Sequence, residues 1–124
     1  MQKRILVIDD SALVRGLVRK FIESRIGFEV CGEANDGLEG VEKGLKLKPD
    51  LIVLDYSMPR LNGLQTALML HEVTPNSPII LYTLYKDVIP IREAQAAGVA
   101  SIVSKCDNLA TLADEVQRLT AGPN

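Results

Sequence analysis

Residues 4–10 read RILVIDD: four aliphatic side chains, Ile5, Leu6, Val7 and Ile8, run without a polar break into two carboxylates, Asp9 and Asp10. An unbroken apolar run of strand length indicates a strand buried on both faces, as in a parallel sheet covered by helices. Similar runs recur over Phe28–Cys31, Leu51–Leu54, Ile79–Tyr82 and Ala100–Val103. Between them the apolar residues take helical spacing. The clearest stripes are Leu13, Val14, Leu17, Val18, Phe21 and Ile22, and Leu109, Leu112, Ala113, Val116 and Leu119. A third carries Leu64, Ala67, Leu68 and His71, and weaker ones run over Leu38, Val41 and Leu45 and over Val88, Ile91 and Ala94. Asp36, Asn62, Asp87 and Asp107 or Asn108 stand where side-chain oxygens cap the following helices, and Gly27 and Gly98 suit the loops that end preceding ones. Strand and helix alternate five times, which predicts a doubly wound α/β domain with a parallel five-stranded sheet and five helices.

The remaining composition narrows the function. The chain has 124 residues, the size of one domain, and its 14 basic and 16 acidic residues leave a net charge of −2. That gives no electrostatic pull toward nucleic acid or anionic lipid, and 3 Tyr, 2 Phe and no Trp make a poor stacking platform for single strands. No segment approaches membrane-spanning length or a signal peptide, so the reading is a cytoplasmic protein. Cys31 and Cys106 lack disulfide-framework or zinc spacing and are expected to be free thiols.

All strands of a parallel sheet point the same way, so the residues that follow each strand meet at one edge. Those residues are Asp9 and Asp10 after the first strand, Asp55 after the third, Thr83 after the fourth, and Ser104 and Lys105 at the fifth. Helix capping explains some of them, Asp10 included, but not Asp55, which precedes the loop Tyr56–Pro59. Nor does it explain Lys105, a cation at the unfavourable end of the last helix dipole. Three close carboxylates repel one another unless a pKa rises or a cation binds. An all-oxygen site with room for water suits Mg2+, with Lys105 and Thr83 left to hold an anion.

The runs ILVIDDS, LIVLDYSMPRLNGL, IILYT and SIVSK together resemble the receiver domain of bacterial two-component response regulators, over essentially the whole chain. The resemblance implies the flavodoxin-like strand order 2-1-3-4-5, which sets the first and third strands side by side. It implies that Asp55 is a phosphoacceptor taking a phosphoryl group from a phosphohistidine of a sensor histidine kinase or phosphotransfer protein. It further implies Mg2+ held by Asp9, Asp10, Asp55 and the backbone carbonyl of Ser57, with Lys105 and Thr83 on the phosphoryl oxygens. Output would pass to a downstream effector through altered protein contacts, and homodimerisation belongs to the same repertoire. The implied protein is a signalling module that catalyses its own phosphorylation, with autodephosphorylation, rather than a turnover enzyme.

Four residues depart from the family pattern. Ile102 replaces the usual aromatic three residues before the lysine, Cys106 replaces a frequent proline and predicts a trans peptide bond, and Leu84 and Tyr85 are bulky where a small residue is usual. Leu84 and Tyr85 are therefore expected to crowd the site and slow hydrolysis. The departures sustain an alternative, a pseudo-receiver acting as a phosphorylation-independent interaction module. A phosphatase-like hydrolase lacks its general acid, because Ser57 stands where a second aspartate would be needed. The pattern fills the chain from Lys3 to about Thr120 as one domain, with 121–124 read as a frayed tail. A stand-alone receiver and the N-terminal part of a longer regulator both remain open.

Overall fold

The computed structural model describes residues 2–122, so Pro123 and Asn124 of the expected frayed tail lie outside the described residues. Strands β1 (Lys3–Ile8), β2 (Phe28–Ala34), β3 (Leu51–Leu54), β4 (Ile79–Thr83) and β5 (Val99–Ser104) form a parallel sheet in the order β2-β1-β3-β4-β5. Helices α1 (Ala12–Glu23), α2 (Gly37–Leu47), α3 (Gly63–Val73), α4 (Ile91–Ala96) and α5 (Leu109–Thr120) alternate with them, and a single 3-10 turn (Lys86–Val88) precedes α4. The expected fold and strand order are those observed.

The two-residue period of a strand divides each apolar run between two cores. Ile5, Val7, Leu51, Val53, Ile80 and Tyr82 face α1 and α5, where Val18, Ile22, Leu112 and Val116 meet them. Leu6, Ile8, Ile52, Leu54, Ile79 and Leu81 face the other way, onto Ala67 and Leu70 of α3 and Ala94 of α4. Both faces are covered, which is why the runs Ile5–Ile8, Leu51–Leu54 and Ile79–Leu81 of the three inner strands contain no polar residue, while the edge strands β2 and β5 carry Glu29 and Ser101.

The helices bury less than their stripes predicted. In α1 only Val18 and Ile22 are buried, while Leu13, Leu17 and Phe21 are 74%, 46% and 40% exposed. The stripe is wider than the line along which one helix touches a sheet. In α2 the expected face is met only in part: Val41 packs against the core, but Leu38 and Leu45 are exposed, and Gly37, Gly40 and Gly44 are buried. A Cβ on Gly40 would come within 2.5 Å of Ile8 Cδ1, and one on Gly44 within 2.8 Å of Leu70 Cδ2, so the helix backbone itself packs against the core. In α3, Leu68 and His71 are exposed and Thr66, Ala67 and Leu70 are buried. Only Ala94 of the Val88, Ile91 and Ala94 pattern is buried.

Capping follows the expectation at three helices. Asp36 accepts from Glu39 N at 2.8 Å, Asn62 from Gln65 N at 3.0 Å within a capping box, and Asn108 from Thr111 N at 3.1 Å. Asp87 caps nothing; it lies in the 3-10 turn, and Pro90 opens α4 with no side-chain cap. Helix α1 is capped by Ser11, which accepts from Val14 N at 3.2 Å, and not by Asp10. Gly27 and Gly98 take φ +94° and +88° in their loops, and no cis peptide bond occurs among the described residues.

The loop Tyr56–Asn62 returns the chain from β3 to α3 and is pinned to the strand end by one glycine. Gly63 N donates to Tyr56 O at 2.7 Å, and a Cβ at Gly63 would lie 2.7 Å from both Asp55 O and Tyr56 Cα. Gly63 thus serves close approach, while the left-handed residue of the loop is Arg60, at φ +69°. Because the opposing atoms are backbone, they cannot rotate away. Gly63→Ala is expected to cost ~1–3 kcal/mol in urea unfolding, whereas Gly16→Ala, which meets nothing within 4 Å, is expected to be neutral or stabilising.

Candidate functional site

Adjacency of β1 and β3 sets their C-terminal residues side by side. Asp55 N donates to Ile8 O at 2.9 Å and Asp9 N to Ala34 O at 3.0 Å, so both residues continue the sheet's hydrogen bonding past the last apolar position. The carboxylates of Asp9, Asp10 and Asp55 bring ligand oxygens within 4.8 Å of one another. Asp9 and Asp55 are buried, at 3% and 5% exposure, and Asp10 is exposed.

Lys105 arrives from the turn after β5, held by its backbone N–H on Thr83 O at 2.8 Å. Its Nζ donates to Asp9 Oδ2 at 2.8 Å and to Asp55 Oδ1 at 3.3 Å. The Tyr82 ring lies beneath the ammonium, its centroid 5.8 Å away. Asp9 Oδ1 also accepts from Ser11 N at 2.9 Å, and Ser57 N approaches Asp55 Oδ1 at 3.4 Å. The expected residues Asp9, Asp10, Asp55 and Lys105 are thus brought together, with Ser57 beside them.

Thr83, fully buried at the end of β4, is linked to this group through the Lys105 backbone, and its hydroxyl accepts from Tyr85 N at 3.0 Å. Leu84 and Tyr85, which follow it, are 61% and 48% exposed. Ile102 is half-buried against the α3–α4 core, and the Cys106 thiol is exposed, in the turn after β5 rather than on the strand.

The electrostatics follow from burial and count. Burial first, then the Asp9 charge, pushes the Asp55 carboxyl up to about 6 against the restraining Lys105 ammonium. Burial works against the Lys105 charge, but its bond to Asp9 and the nearby Asp55 outweigh it and raise the ammonium above the ordinary lysine value. Three carboxylates against one ammonium leave an excess of two negative charges. A hard divalent cation would neutralise that excess, and three oxygen donors, one of them exposed, suit such an ion. The Asp cluster could therefore hold a metal.

A second cation beside the site carries no mark in the sequence pattern. Arg15 Nη1 donates to the Asp9 carbonyl at 2.7 Å, and no local signal separates it from an ordinary arginine on a helix surface.

The Asp55 shift has a defined sign in stability. A carboxyl raised from 3.8 to about 6 retains a proton in the folded state that the unfolded chain releases, so metal-free stability falls as pH rises through that window. The penalty is complete above the folded value. Asp55→Asn removes it and is expected to stabilise the metal-free protein by ~1–3 kcal/mol at neutral pH, with the gain shrinking toward about pH 4. Urea unfolding in chelator at both pH values checks this, and a gain independent of pH would contradict it.

Residues 5–117 match the family described as the response regulator receiver domain. The chain is 36% identical over 105 residues to the chemotaxis protein CheY of Thermotoga maritima, covering 85% of this chain and 87% of that protein. It is 38% identical over 103 residues to the protein-glutamate methylesterase/protein-glutamine glutaminase of the same organism, covering 82% of this chain but 30% of that protein. Among solved structures, the response regulator domain of Thermotoga maritima CheB superposes with a TM-score of 0.83 at 31% identity, over 99% of this chain and 100% of that one. A LuxR-family two-component response regulator from Aurantimonas sp. SI85-9A1 superposes with a TM-score of 0.90 at 26% identity, over 100% of this chain and 89% of that one. On that family match, over most of its length, the chain belongs to the response regulator receiver domain family, whose members are phosphoacceptor signalling modules.

Proposed function

We propose that this chain accepts a phosphoryl group on Asp55 from a phosphohistidine of a sensor histidine kinase or phosphotransfer protein, in a reaction that requires Mg2+, and that the added charge switches a protein-interaction surface. One observation carries the reading: a buried carboxylate, ionised at neutral pH, lies against an ammonium and two further carboxylates at a solvent-accessible sheet edge. Both hydrogen bonds to Asp55 fall on Oδ1, which leaves Oδ2 to form the new bond. As the O–P bond forms, the P–N bond to the donor imidazole breaks, and the imidazole nitrogen keeps the electron pair and ends protonated.

Asp9, Asp10, Asp55 and the Ser57 carbonyl would hold Mg2+, one aspartate through water. The ion, when bound, offsets the charge gathered on the phosphoryl oxygens. Lys105 then exchanges a carboxylate partner for a phosphoryl oxygen, a change its flexible stem permits. The exposed ridge Leu13, Leu17 and Phe21 on α1 offers the donor protein an apolar surface beside this edge.

Thr83 supplies the readout. Its hydroxyl already accepts the Tyr85 N–H, so it can donate its own proton to a phosphoryl oxygen without releasing that bond. A pull on Thr83 is passed directly to the backbone ahead of α4, and the exposed Leu84, Tyr85, Val88 and Ile91 move with it to present the output surface to an effector. This route needs no aromatic at Ile102. It is a signalling cycle of the cytoplasm, and the match to the longer methylesterase/glutaminase relative covers 30% of that protein.

Incubation with Mg2+ and a small acyl-phosphate donor, followed by intact-mass measurement, is expected to show one added phosphoryl group, lost in Asp55→Asn and in chelator. Absence of the adduct with every donor would favour a phosphorylation-independent interaction module, and rapid multiple turnover would favour a hydrolase. Phosphorylation should also shift the backbone amide resonances of residues 84–89 and of Ile91, and Thr83→Ala should suppress those shifts while leaving the mass gain intact.

A further inference from the structure

We infer that Arg15 is a positioning residue for the metal site: clamped by Glu33 of β2, its guanidinium fixes the Asp9–Asp10 peptide plane and so sets where Asp10 meets Asp9 and Asp55. This inference rests on the Mg2+ reading of that site.

Asp9, the first residue past β1, still keeps a sheet partner, through its N–H on Ala34 O at 3.0 Å. Asp10, the next residue, lies outside β1 and is exposed. Its placement therefore depends on how the peptide between them is turned. A peptide unit is planar, so holding the Asp9 carbonyl fixes the Asp10 nitrogen and with it the course of the backbone. Arg15 Nη1 holds that carbonyl at 2.7 Å, while Nε donates to Glu33 Oε1 at 3.0 Å. The Arg15 side chain is only 17% exposed, so this is not a flexible surface pair.

Glu33 is itself immobilised. Its second oxygen accepts from Arg19 Nε at 2.7 Å, and its backbone carbonyl accepts from Lys43 of α2. Burial opposes its charge, but Arg19 and Arg15 together keep its carboxyl below the ordinary glutamate value, so it stays an anion. The fork geometry of a guanidinium is required here: it bridges a carboxylate on one side and a carbonyl on the other, which an ammonium cannot do in the same plane. Its positive charge next to the Asp9 carbonyl also eases the mutual repulsion of the carboxylates.

The test compares Mg2+ affinity by calorimetry with urea unfolding of the metal-free protein, for wild type, Arg15→Met, Arg15→Lys and Asp9→Asn. Arg15→Met is expected to weaken Mg2+ binding by roughly 10-fold or more, in the range for groups that orient metal ligands, and Arg15→Lys to fall between it and wild type. A folded Arg15→Met that binds Mg2+ as wild type does, whatever its stability, overturns the inference and leaves the metal site standing. Should Arg15→Met fail to fold, Arg15→Lys decides: weakened binding supports the inference and unchanged binding overturns it. A wild-type protein that binds no more Mg2+ than Asp9→Asn overturns the metal site and this inference with it.

Discussion

Three carboxylates crowd one sheet edge, and the rest of the structure is arranged around tolerating that crowding. Two of them are buried, where like charge is most costly, and a single ammonium shared between Asp9 and Asp55 offsets part of the repulsion. Burial first, and the remaining charge imbalance second, raise the Asp55 carboxyl. Such a group is poised: it gains from a divalent cation, and it is ionised enough near neutrality to act as a nucleophile. The tension in the metal-free state and the chemistry of the site have the same source.

Holding that arrangement requires rigid backbone on every side. Asp9 and Asp55 extend the hydrogen bonding of the sheet, Gly63 brings the loop after β3 into contact with the Asp55 carbonyl, and Lys105 is tied to Thr83 through its main chain. Beneath them the fully buried Ile8 and Leu54 leave no room for the strand ends to sink or separate. The least covered parts lie in the turn after Thr83 and the short α4, where Leu84, Tyr85, Val88 and Ile91 are exposed.

The strands were legible in the sequence because parallel strands buried on both faces leave a run of aliphatic residues that no helix of this length would need. The convergence of Asp9, Asp10, Asp55 and Lys105 followed from the same pattern, since parallel strands deliver their C-terminal neighbours to one edge. Helix faces were less legible. The periodicity of α1 included Leu13, Leu17 and Phe21 equally with Val18 and Ile22, yet only the second pair meets the sheet. Apolar spacing marks a stripe without saying how much of it will be covered. In α2 the true contact face is Gly37, Gly40 and Gly44, residues with no side chain to register in any hydrophobic pattern.

The amino-acid sequence by itself determined the alternation of strands and helices, the sheet edge at which the chemistry gathers and the kinds of group found there, because these depend on local periodicity and on strand direction. Tertiary structure alone decided which apolar residues were left at the surface and that Arg15 joins Lys105 beside the acids. Arg15 and Glu33 lie 18 residues apart and meet only because β2 is laid beside β1. The shared ammonium of Lys105 spans still greater separations, 96 residues to Asp9 and 50 to Asp55. Contacts of that range are set by which strands become neighbours and how closely helices pack on them, and no local stretch of sequence carries either quantity.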